Sequence, residues 1–214
     1  LIQYILNIMD AKEQFNNQAK FYSSSKTFST GESLDILSNL FNKKKFKSGL
    51  DIGTGAGFAA FELSKSCEKV EATDISEGMI NEAKKIMKER KINNLNFNIC
   101  SAEELKYSDK EFDIVTCRTA AHHFLDVEKF CSEVHRVLKD DGHLFLNIAY
   151  TKNSPFSAYK IAENVPWQLQ NNIIWGKSIE VDGRVRGYST PTTSKRYLQN
   201  GWEHLFHFTK EGDT

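Results

Sequence analysis

Short apolar segments alternate with amphipathic segments through the middle of the chain. Residues 50–52, 69–73, 95–99, 112–117 and 143–148 are the apolar segments, and they predict five strands. Between them, apolar residues recur every three or four positions, which is typical of helices that bury one face. Strands that alternate with such helices are joined by right-handed crossovers. The pattern therefore predicts an α/β fold with a mainly parallel sheet and helices on both faces.

The N-terminal part of the chain has a helical period. Residues 10–40 predict two helices, and the apolar residues 1–9 predict a docking helix. That first stretch is too short to span a bilayer and lacks the basic start of a signal peptide. We expect residues 1–47 to form a helical cap on a core of residues 48–149.

The C-terminal part follows a different pattern. Residues 178–186 predict a β-hairpin around Asp182-Gly183, because Asp-Gly supplies the positive φ that a two-residue turn requires. Residues 192–199 predict a short helix, and residues 202–209 predict a sixth strand. We expect residues 150–214 to form a substrate-side insert after strand five, followed by the last strand or strands, so that the whole chain is one domain.

Three residues mark predicted helix ends. Ser76 and Asp126 precede helical segments and can cap them, since short polar side chains accept hydrogen bonds from the free N–H groups of a first helical turn. Gly142 follows the helical segment after Asp126, at the position where helices often end in the left-handed conformation.

Three glycines at alternate positions follow the first predicted strand, in Leu50-Asp51-Ile52-Gly53-Thr54-Gly55-Ala56-Gly57. Glycine allows positive φ and close approach of a ligand, and the free N–H groups of the next helix point to the same place. Asp74 ends the second strand 74 − 53 = 21 residues after Gly53. There a carboxylate can accept hydrogen bonds from a ribose. The structural alternative is a glycine-rich turn without a ligand.

The glycine spacing also bears on the type of ligand. A dinucleotide fingerprint has its third glycine one position later, where this chain has Phe58. A pyrophosphate would meet that bulky side chain, which disfavours a nicotinamide dehydrogenase. The prediction is a ribose-bearing ligand without a pyrophosphate.

Several segments resemble motifs of class I S-adenosylmethionine-dependent methyltransferases. The glycine stretch resembles their first motif, and Ala72-Thr73-Asp74-Ile75-Ser76-Glu77-Gly78-Met79 resembles their second. The segments at residues 101–105, 111–115, 118–124 and 133–142 are similar, in order and spacing, to the branch with the ubiquinone and menaquinone C-methyltransferases. The resemblance covers roughly residues 15–148 and implies a Rossmann-like fold that binds S-adenosyl-L-methionine.

The resemblance implies a role for each matching residue. Asp51 and the backbone of Gly53, Thr54, Gly55 and Gly57 would hold the methionine end; Asp74 would bind the ribose; Ile75 and Met79 would flank the adenine; Ser101, Ala102 and Glu103 would lie at its edge; and the carbonyl of Arg118 would lie near the ammonium group. The family often has Asp at the position of Ser101, so an uncharged acceptor stands here.

Three residues are candidates for catalysis. His122 or His123 could act as a general base, since an unperturbed imidazole pKa of about 6.5 suits proton removal at neutral pH. The alternative is that one caps a turn and the other packs inside. Tyr22 lies in the segment that closes the substrate pocket in the resembled branch, and packing in the core explains it equally well. No histidine or cysteine spacing supports a metal site, so we expect none.

Composition narrows the choice of partners. The chain has 214 residues, and its 28 Lys and Arg balance its 28 Asp and Glu, so charge gives no basis for nucleic-acid binding. Its cysteines (Cys67, Cys100, Cys117 and Cys131) form no Cys-x-x-Cys pair, which predicts buried free thiols and a cytoplasmic location. We expect a monomer or homodimer without a membrane span.

The leading hypothesis is a methyltransferase that acts on a small-molecule or quinone-like acceptor. One alternative is a tRNA wobble-uridine methyltransferase, since residues 165–167 and 204–212 faintly resemble late segments of those enzymes. Another is a non-catalytic protein that binds S-adenosylmethionine, because an in-line displacement depends on alignment more than on any reactive side chain.

Overall fold

A computed structural model describes residues 2–42, 44–149, 157–176, 178–181, 184–187 and 202–209. Its strands are β1 (Phe46–Ile52), β2 (Cys67–Asp74), β3 (Leu95–Ile99), β4 (Phe112–Arg118), β5 (Leu138–Ala149), β6 (Gln168–Gly176), β7 (Ser178–Val181), β8 (Arg184–Gly187) and β9 (Trp202–Thr209). Seven of them form one sheet in the order β3-β2-β1-β4-β5-β9-β6. Strand β9 runs antiparallel to the other six strands of this sheet, so the predicted mainly parallel sheet is confirmed.

Helices cover both faces of this sheet. They are α1 (Ile2–Ser24), α2 (Lys26–Ser29), α3 (Glu32–Phe41), α4 (Phe58–Leu63), α5 (Glu77–Glu89), α6 (Val127–Val137) and α7 (Ser157–Ala162). One buried cluster contains Phe130 of α6 and Ile161 of α7, and the other contains Leu37 of α3, Phe61 of α4 and Ile80 of α5. None of the described helices has the length and apolarity needed to cross a bilayer.

The N-terminal cap differs from the predicted pair of helices. The predicted docking helix and the first of the pair are one continuous helix, α1, and a single turn, α2, separates it from α3. The side chains of Ser23 and Ser24 donate to carbonyl oxygens of the preceding turn of α1, at Lys20 and Phe21. Helix α1 therefore ends within the serine run at residues 23–25, and α3 is the second helix of the predicted pair.

Both predicted N-caps are confirmed, and the predicted left-handed glycine is wrong. The Met79 N–H donates to Ser76 Oγ over 3.1 Å, and the Lys129 N–H donates to Asp126 Oδ1 over 2.9 Å. Helix α6 ends at Val137 and β5 begins at the next residue, so Gly142 lies in a register shift within β5 and is not in the positive-φ region. A Cβ at Gly142 would lie 2.5 Å from Leu138 Cγ, so close packing explains this glycine.

The sheet contains a strand that the sequence did not predict. Strand β6 forms an edge and pairs with β9, so residues 202–209 are the seventh strand of the sheet in chain order rather than the sixth. The hairpin expected after strand five is present as β7–β8, in which Val181 pairs with Arg184. Strand β6 lies between β5 and this hairpin in the chain. The turn residues 182–183 and the predicted helix at 192–199 lie outside the described residues.

Candidate cofactor and acceptor site

Three predicted site residues lie at the same edge of the sheet. Gly53 follows the end of β1, and Asp74 and Arg118 are the last residues of β2 and β4. Because β1 lies between β2 and β4, the three residues surround one crevice at the carboxyl ends of the strands. Ligands bind at such positions in open α/β sheets.

The glycine loop has the backbone conformation that its sequence predicts. Gly53, Gly55 and Gly57 have φ angles of 66°, 55° and 90°. A Cβ at Gly53 would lie 2.5 Å from Ala120 Cβ, and one at Gly57 would lie 2.8 Å from Phe61 Cζ, so both glycines are required by packing. A Cβ at Gly55 would meet no heavy atom within 4 Å. Gly55 is therefore the position where the backbone leaves open space for a ligand.

Backbone N–H groups of other residues hold the Asp74 carboxylate against this loop. The Gly55 N–H donates to Asp74 Oδ2 over 2.8 Å, and the Ser76 N–H donates to Oδ1 over 2.9 Å. Burial raises the pKa of the Asp74 carboxyl, while the N–H groups of Ser76, Gly55 and Ile75 act in the opposite direction. Each carboxylate oxygen has a second lone pair, so Asp74 retains the capacity to accept from two hydroxyl groups.

Asp51 is buried one residue before the end of β1, with 1% of its surface exposed. Thr54 Oγ1 donates to Asp51 Oδ2 and Thr116 Oγ1 donates to Oδ1, each over 2.6 Å. Burial raises the pKa of Asp51 to about 6, although both hydroxyl groups and the charge of Arg118 lower it. The ionised Asp51 carboxylate therefore lowers the stability of the folded protein at neutral pH, which is typical of a buried charged group retained for function.

We expect Asp51→Asn to stabilise the ligand-free protein. Displacement of the Asp51 pKa from 3.8 to about 6 corresponds to roughly 3 kcal/mol against the ionised form at neutral pH. The folded state favours the protonated carboxyl, so this cost is present above pH 6 and disappears as the pH falls toward 4. Allowing for weaker hydrogen bonds to the amide, we expect the free energy of unfolding to rise by about 1–3 kcal/mol at neutral pH.

Urea unfolding of the Asp51→Asn variant and the parent protein, at neutral pH and near pH 5, measures this difference. The gain should shrink at the lower pH, where the parent carboxyl is largely protonated. A variant less stable than the parent at neutral pH would show that Thr54 and Thr116 require the carboxylate.

The segment that follows β3 contains Ser101, Ala102 and Glu103. Hydrogen bonds join Ser101 to Glu103. Ser101 Oγ donates to Glu103 Oε2 over 3.0 Å, and Ala102 is buried. Glu103 Oε1 accepts from the N–H groups of Leu125 and Asp126 over 2.8 and 3.1 Å. The Glu103 carboxylate therefore fastens the start of α6 to this segment. The adenine contacts assigned to these residues stay a prediction.

The N-terminal cap crosses the crevice and is attached on both sides. Asn16 Oδ1 of α1 accepts from Ser76 Oγ and from the Gly78 N–H, over 2.7 and 2.8 Å, beside the end of β2. Arg118, at the end of β4, donates from Nε to Ser33 Oγ over 3.0 Å and from Nη1 to the Phe28 carbonyl over 3.2 Å. Since β1 lies between β2 and β4, the cap is attached to strand ends on both sides of the glycine loop.

The two proposed adenine neighbours differ in exposure. Ile75 is half-buried directly after Asp74, whereas Met79 in the first turn of α5 is only 2% exposed. An adenine contact of Ile75 thus requires no rearrangement of its surroundings. An adenine contact of Met79 requires its side chain to become accessible.

The three catalytic candidates lie in one group of aromatic rings. The rings of His122 and His123 have centroids 4.0 Å apart, and Phe15 packs edge-on against His123 at 5.0 Å. Phe15 also contacts Tyr22, which stacks on Phe28 at 4.6 Å. The cap and the turn after β4 thus form a continuous aromatic wall beside the glycine loop.

His122 is neutral in this group. Burial, with a smaller contribution from His123, lowers its pKa to about 4. Its Nδ1 is buried and has no hydrogen-bond partner among the described residues. A neutral imidazole can accept a proton throughout the physiological range, but such a low pKa makes it a weak base. Burial likewise raises the pKa of the Tyr22 hydroxyl, so Tyr22 stays protonated.

Two further observations bear on the sequence predictions. Phe58 is 5% exposed, packs against Phe61, and has the Arg90 guanidinium 5.8 Å from its ring centroid, so it fills the position where a dinucleotide fold needs a glycine. In the part of the chain that the structure describes, no group of three or more His, Cys, Asp or Glu could hold a metal ion.

Sequence reasoning missed four residues that shape the site. Thr116 binds Asp51, and its position opposite Asp51 in the β1–β4 register is a signal that the strand pattern contained. Asn16, Phe28 and Ser33 attach the cap, and no local pattern distinguishes them, because their partners lie far away in sequence.

Comparison with known proteins agrees with this geometry. Residues 50–146 match a family model described as a methyltransferase domain. The uncharacterised methyltransferase YcgJ of Bacillus subtilis is 36% identical over 147 residues, which are 69% of this chain and 58% of that protein. The demethylmenaquinone methyltransferase of Bacteroides fragilis is 36% identical over 102 residues, 45% of this chain and 41% of that protein. The chain thus spans less than two thirds of the length of either relative.

A solved structure shows the same architecture. The crystal structure of YcgJ from Bacillus subtilis matches 84% of this chain and 99% of that chain, with a TM-score of 0.67 and 25% identity. The matched domain includes the glycine loop, Asp74 and the turn with His122 and His123. Residues 50–146 are thus a methyltransferase domain, and the chain resembles class I S-adenosylmethionine-dependent methyltransferases in sequence and in fold.

Proposed function

We propose that the protein transfers a methyl group from S-adenosylmethionine to a small-molecule or quinone-like acceptor. The observation that carries this proposal is the contact between Asp74 and the Gly55 N–H, 2.8 Å long, beside the open space at Gly55. It joins an acceptor for a ribose to a backbone position that a ligand can approach. The match of residues 50–146 to a methyltransferase domain supports the reaction class.

The residues of the crevice fit this cofactor. Its ammonium group and ribose hydroxyls are hydrogen-bond donors, and the crevice supplies the carboxylates of Asp51 and Asp74 as acceptors. Asp51 keeps a negative charge inside the protein at neutral pH, which would stabilise a cation bound close to it. The open side of Gly55 leaves room for the ligand.

The chain's own residues would align the reactants and exclude water. When bound, S-adenosylmethionine supplies an electrophilic methyl group on a positively charged sulfur. Asp74 and the glycine loop would fix the cofactor, while the cap, held by Asn16 and Arg118, would keep solvent from the crevice. In-line displacement gains most from such alignment and desolvation. His122 would accept a proton or a hydrogen bond from the acceptor.

The aromatic wall supports an acceptor with a flat, apolar part. Phe15, Tyr22 and Phe28 line it together with the neutral imidazoles, so it offers ring faces and edges rather than charge. The Bacteroides fragilis relative is named for a quinone-type acceptor, which agrees with this chemistry. We assign residues 150–214, including the β7–β8 hairpin, to the substrate side of the domain. The described cysteines are free and buried, which agrees with a reducing compartment such as the cytoplasm.

Calorimetric titration tests the proposed cofactor. We expect S-adenosylhomocysteine to bind with a dissociation constant on the order of 10 µM or lower, and NAD⁺ to give no measurable heat, because Phe58 fills the position next to a pyrophosphate. Tight NAD⁺ binding without a response to the nucleoside would overturn the proposal. Turnover with quinol and non-quinol acceptors then tests the acceptor class.

A further inference from the structure

Strand β3 ends the sheet and presents one backbone edge outward. The Val70 N–H donates to the Asn94 carbonyl, and the Cys100 N–H donates to the Asp74 carbonyl, so these positions of the β3 segment face β2. Backbone direction alternates along a strand, which turns the N–H and C=O groups of Leu95, Phe97 and Ile99 away from β2. In the part of the chain that the structure describes, no strand pairs with this outer edge.

Strand β3 itself carries none of the residues that usually protect an exposed edge strand. Residues 95–99 read Leu-Asn-Phe-Asn-Ile, without a charge, a proline or a glycine. Natural sheets normally block such an edge with lysines, prolines, bulges or a covering element. Instead, a groove runs along β3, with Lys84, Met87 and Lys88 of α5 on one side. Ile99 is 46% exposed beside it.

The five residues have the same pattern when read in either direction. Leu95 and Ile99 are the apolar ends, Asn96 and Asn98 are identical, and Phe97 is the centre. Both asparagine amides are oriented by one carboxylate, since their Nδ2 atoms donate to Glu71 over 3.1 and 2.8 Å. Their side chains are thus ordered on the face of the sheet opposite Phe97, at equal distances from the centre of the strand.

We propose that β3 is an interface with a second copy of this chain, in which the two β3 strands pair antiparallel around Phe97 and continue the sheet across a twofold axis. A twofold interface must be complementary to itself, which this palindromic edge is. A partner of different sequence would gain nothing from the symmetry of the pattern. The proposal does not depend on the proposed enzymatic activity.

This register uses every outward backbone group. Phe97 would exchange two hydrogen bonds with Phe97 of the second copy, and each Leu95 would exchange two with the opposite Ile99, because these are the residues whose N–H and C=O groups point outward. Asn96 of one copy would lie opposite Asn98 of the other, in a pair without backbone hydrogen bonds. Only Ile99 of the two apolar ends is exposed, at 46%, and the pairing would remove part of its surface from water.

Disulfide trapping tests the register directly. Opposed Asn96 and Asn98 would have Cα atoms about 4.5 Å apart, within disulfide range, whereas two copies of the same position would be about 8 Å apart. We expect a mixture of the Asn96→Cys and Asn98→Cys proteins to form a covalent dimer under mild oxidation, and neither protein to do so alone. The described cysteines are buried, so the introduced thiols react first.

Sedimentation over about two decades of protein concentration tests the association itself. We expect reversible dimerisation that weakens at least tenfold in Ile99→Lys, because a lysine at this position would be buried against the second copy, and by less than threefold in the matched control Ile99→Thr. Circular dichroism confirms that both variants fold. A parent chain that stays monomeric, equal association of Ile99→Lys and Ile99→Thr, or trapping by either cysteine protein alone would overturn the proposal.

Discussion

Asp74→Ala is expected to weaken S-adenosylhomocysteine binding by roughly ten- to 150-fold, equivalent to about 1.5–3 kcal/mol. The substitution removes the carboxylate that would accept from the ribose. It also releases the Gly55 N–H, which donates to Asp74 Oδ2 over 2.8 Å, and so loosens the loop against which the cofactor would lie. Calorimetric titration of the folded variant measures the loss.

Asp113→Ala is the matched control for this experiment. Asp113 Oδ2 also accepts backbone N–H groups of another segment, from Lys47 and Ser48 over 3.0 and 2.8 Å, but at the opposite end of the sheet. Both variants should lose stability, and only Asp74→Ala should lose ligand affinity. An unchanged dissociation constant in Asp74→Ala would mean that this carboxylate only organises the strand end.

Alanine at Gly57 should destabilise the fold more than alanine at Gly55. Gly57→Ala combines a φ of 90° with a Cβ 2.8 Å from the Phe61 ring. We expect it to lower the free energy of unfolding by about 2–4 kcal/mol, from backbone strain and overpacking. Gly55→Ala has a φ of 55° and open space around its Cβ. We expect a loss of only about 1 kcal/mol of stability there.

Affinity for the ligand should fall more in Gly55→Ala than in Gly57→Ala. The methyl group at Gly55 enters the space assigned to the cofactor, so we expect at least a tenfold weaker affinity for S-adenosylhomocysteine in a folded protein. Denaturant unfolding and calorimetry on both variants measure the two effects. Full affinity in Gly55→Ala would move the ligand away from this part of the loop.

Local chemistry made the first half of the sheet predictable. Glycines with positive φ, Ser76 and Asp126 as helix caps, and the alternation of Leu95, Phe97 and Ile99 are each dictated by neighbours within a few residues. Asp74 was predicted as a ligand contact because it ends the second strand, 21 residues after Gly53. The site residues assigned by resemblance stay predictions for ligand binding, although the structure brings most of them together.

The features that the sequence did not predict depend on contacts between distant segments. Strand β6 contains Gln168, Gln170, Asn171 and Asn172, which are poor strand formers, and a bulge between Leu169 and Asn171 breaks its alternation. Pairing with β9 overrides these preferences. Likewise, Glu103 was assigned to the adenine edge, and its bonds to the N–H groups of Leu125 and Asp126 depend on a turn 22 residues away.

The two attachments of the N-terminal cap bear on the kinetics of cofactor exchange in the proposed reaction. If the cofactor binds under α1 as proposed, its release would require opening of the bonds of Asn16 to Ser76 and Gly78, or of those of Arg118 to Phe28 and Ser33. Spent and fresh cofactor would then exchange at the rate of this local opening rather than by free diffusion. Residence time would be set by hydrogen bonds that never touch the nucleoside, and loosening the cap would speed dissociation and association together.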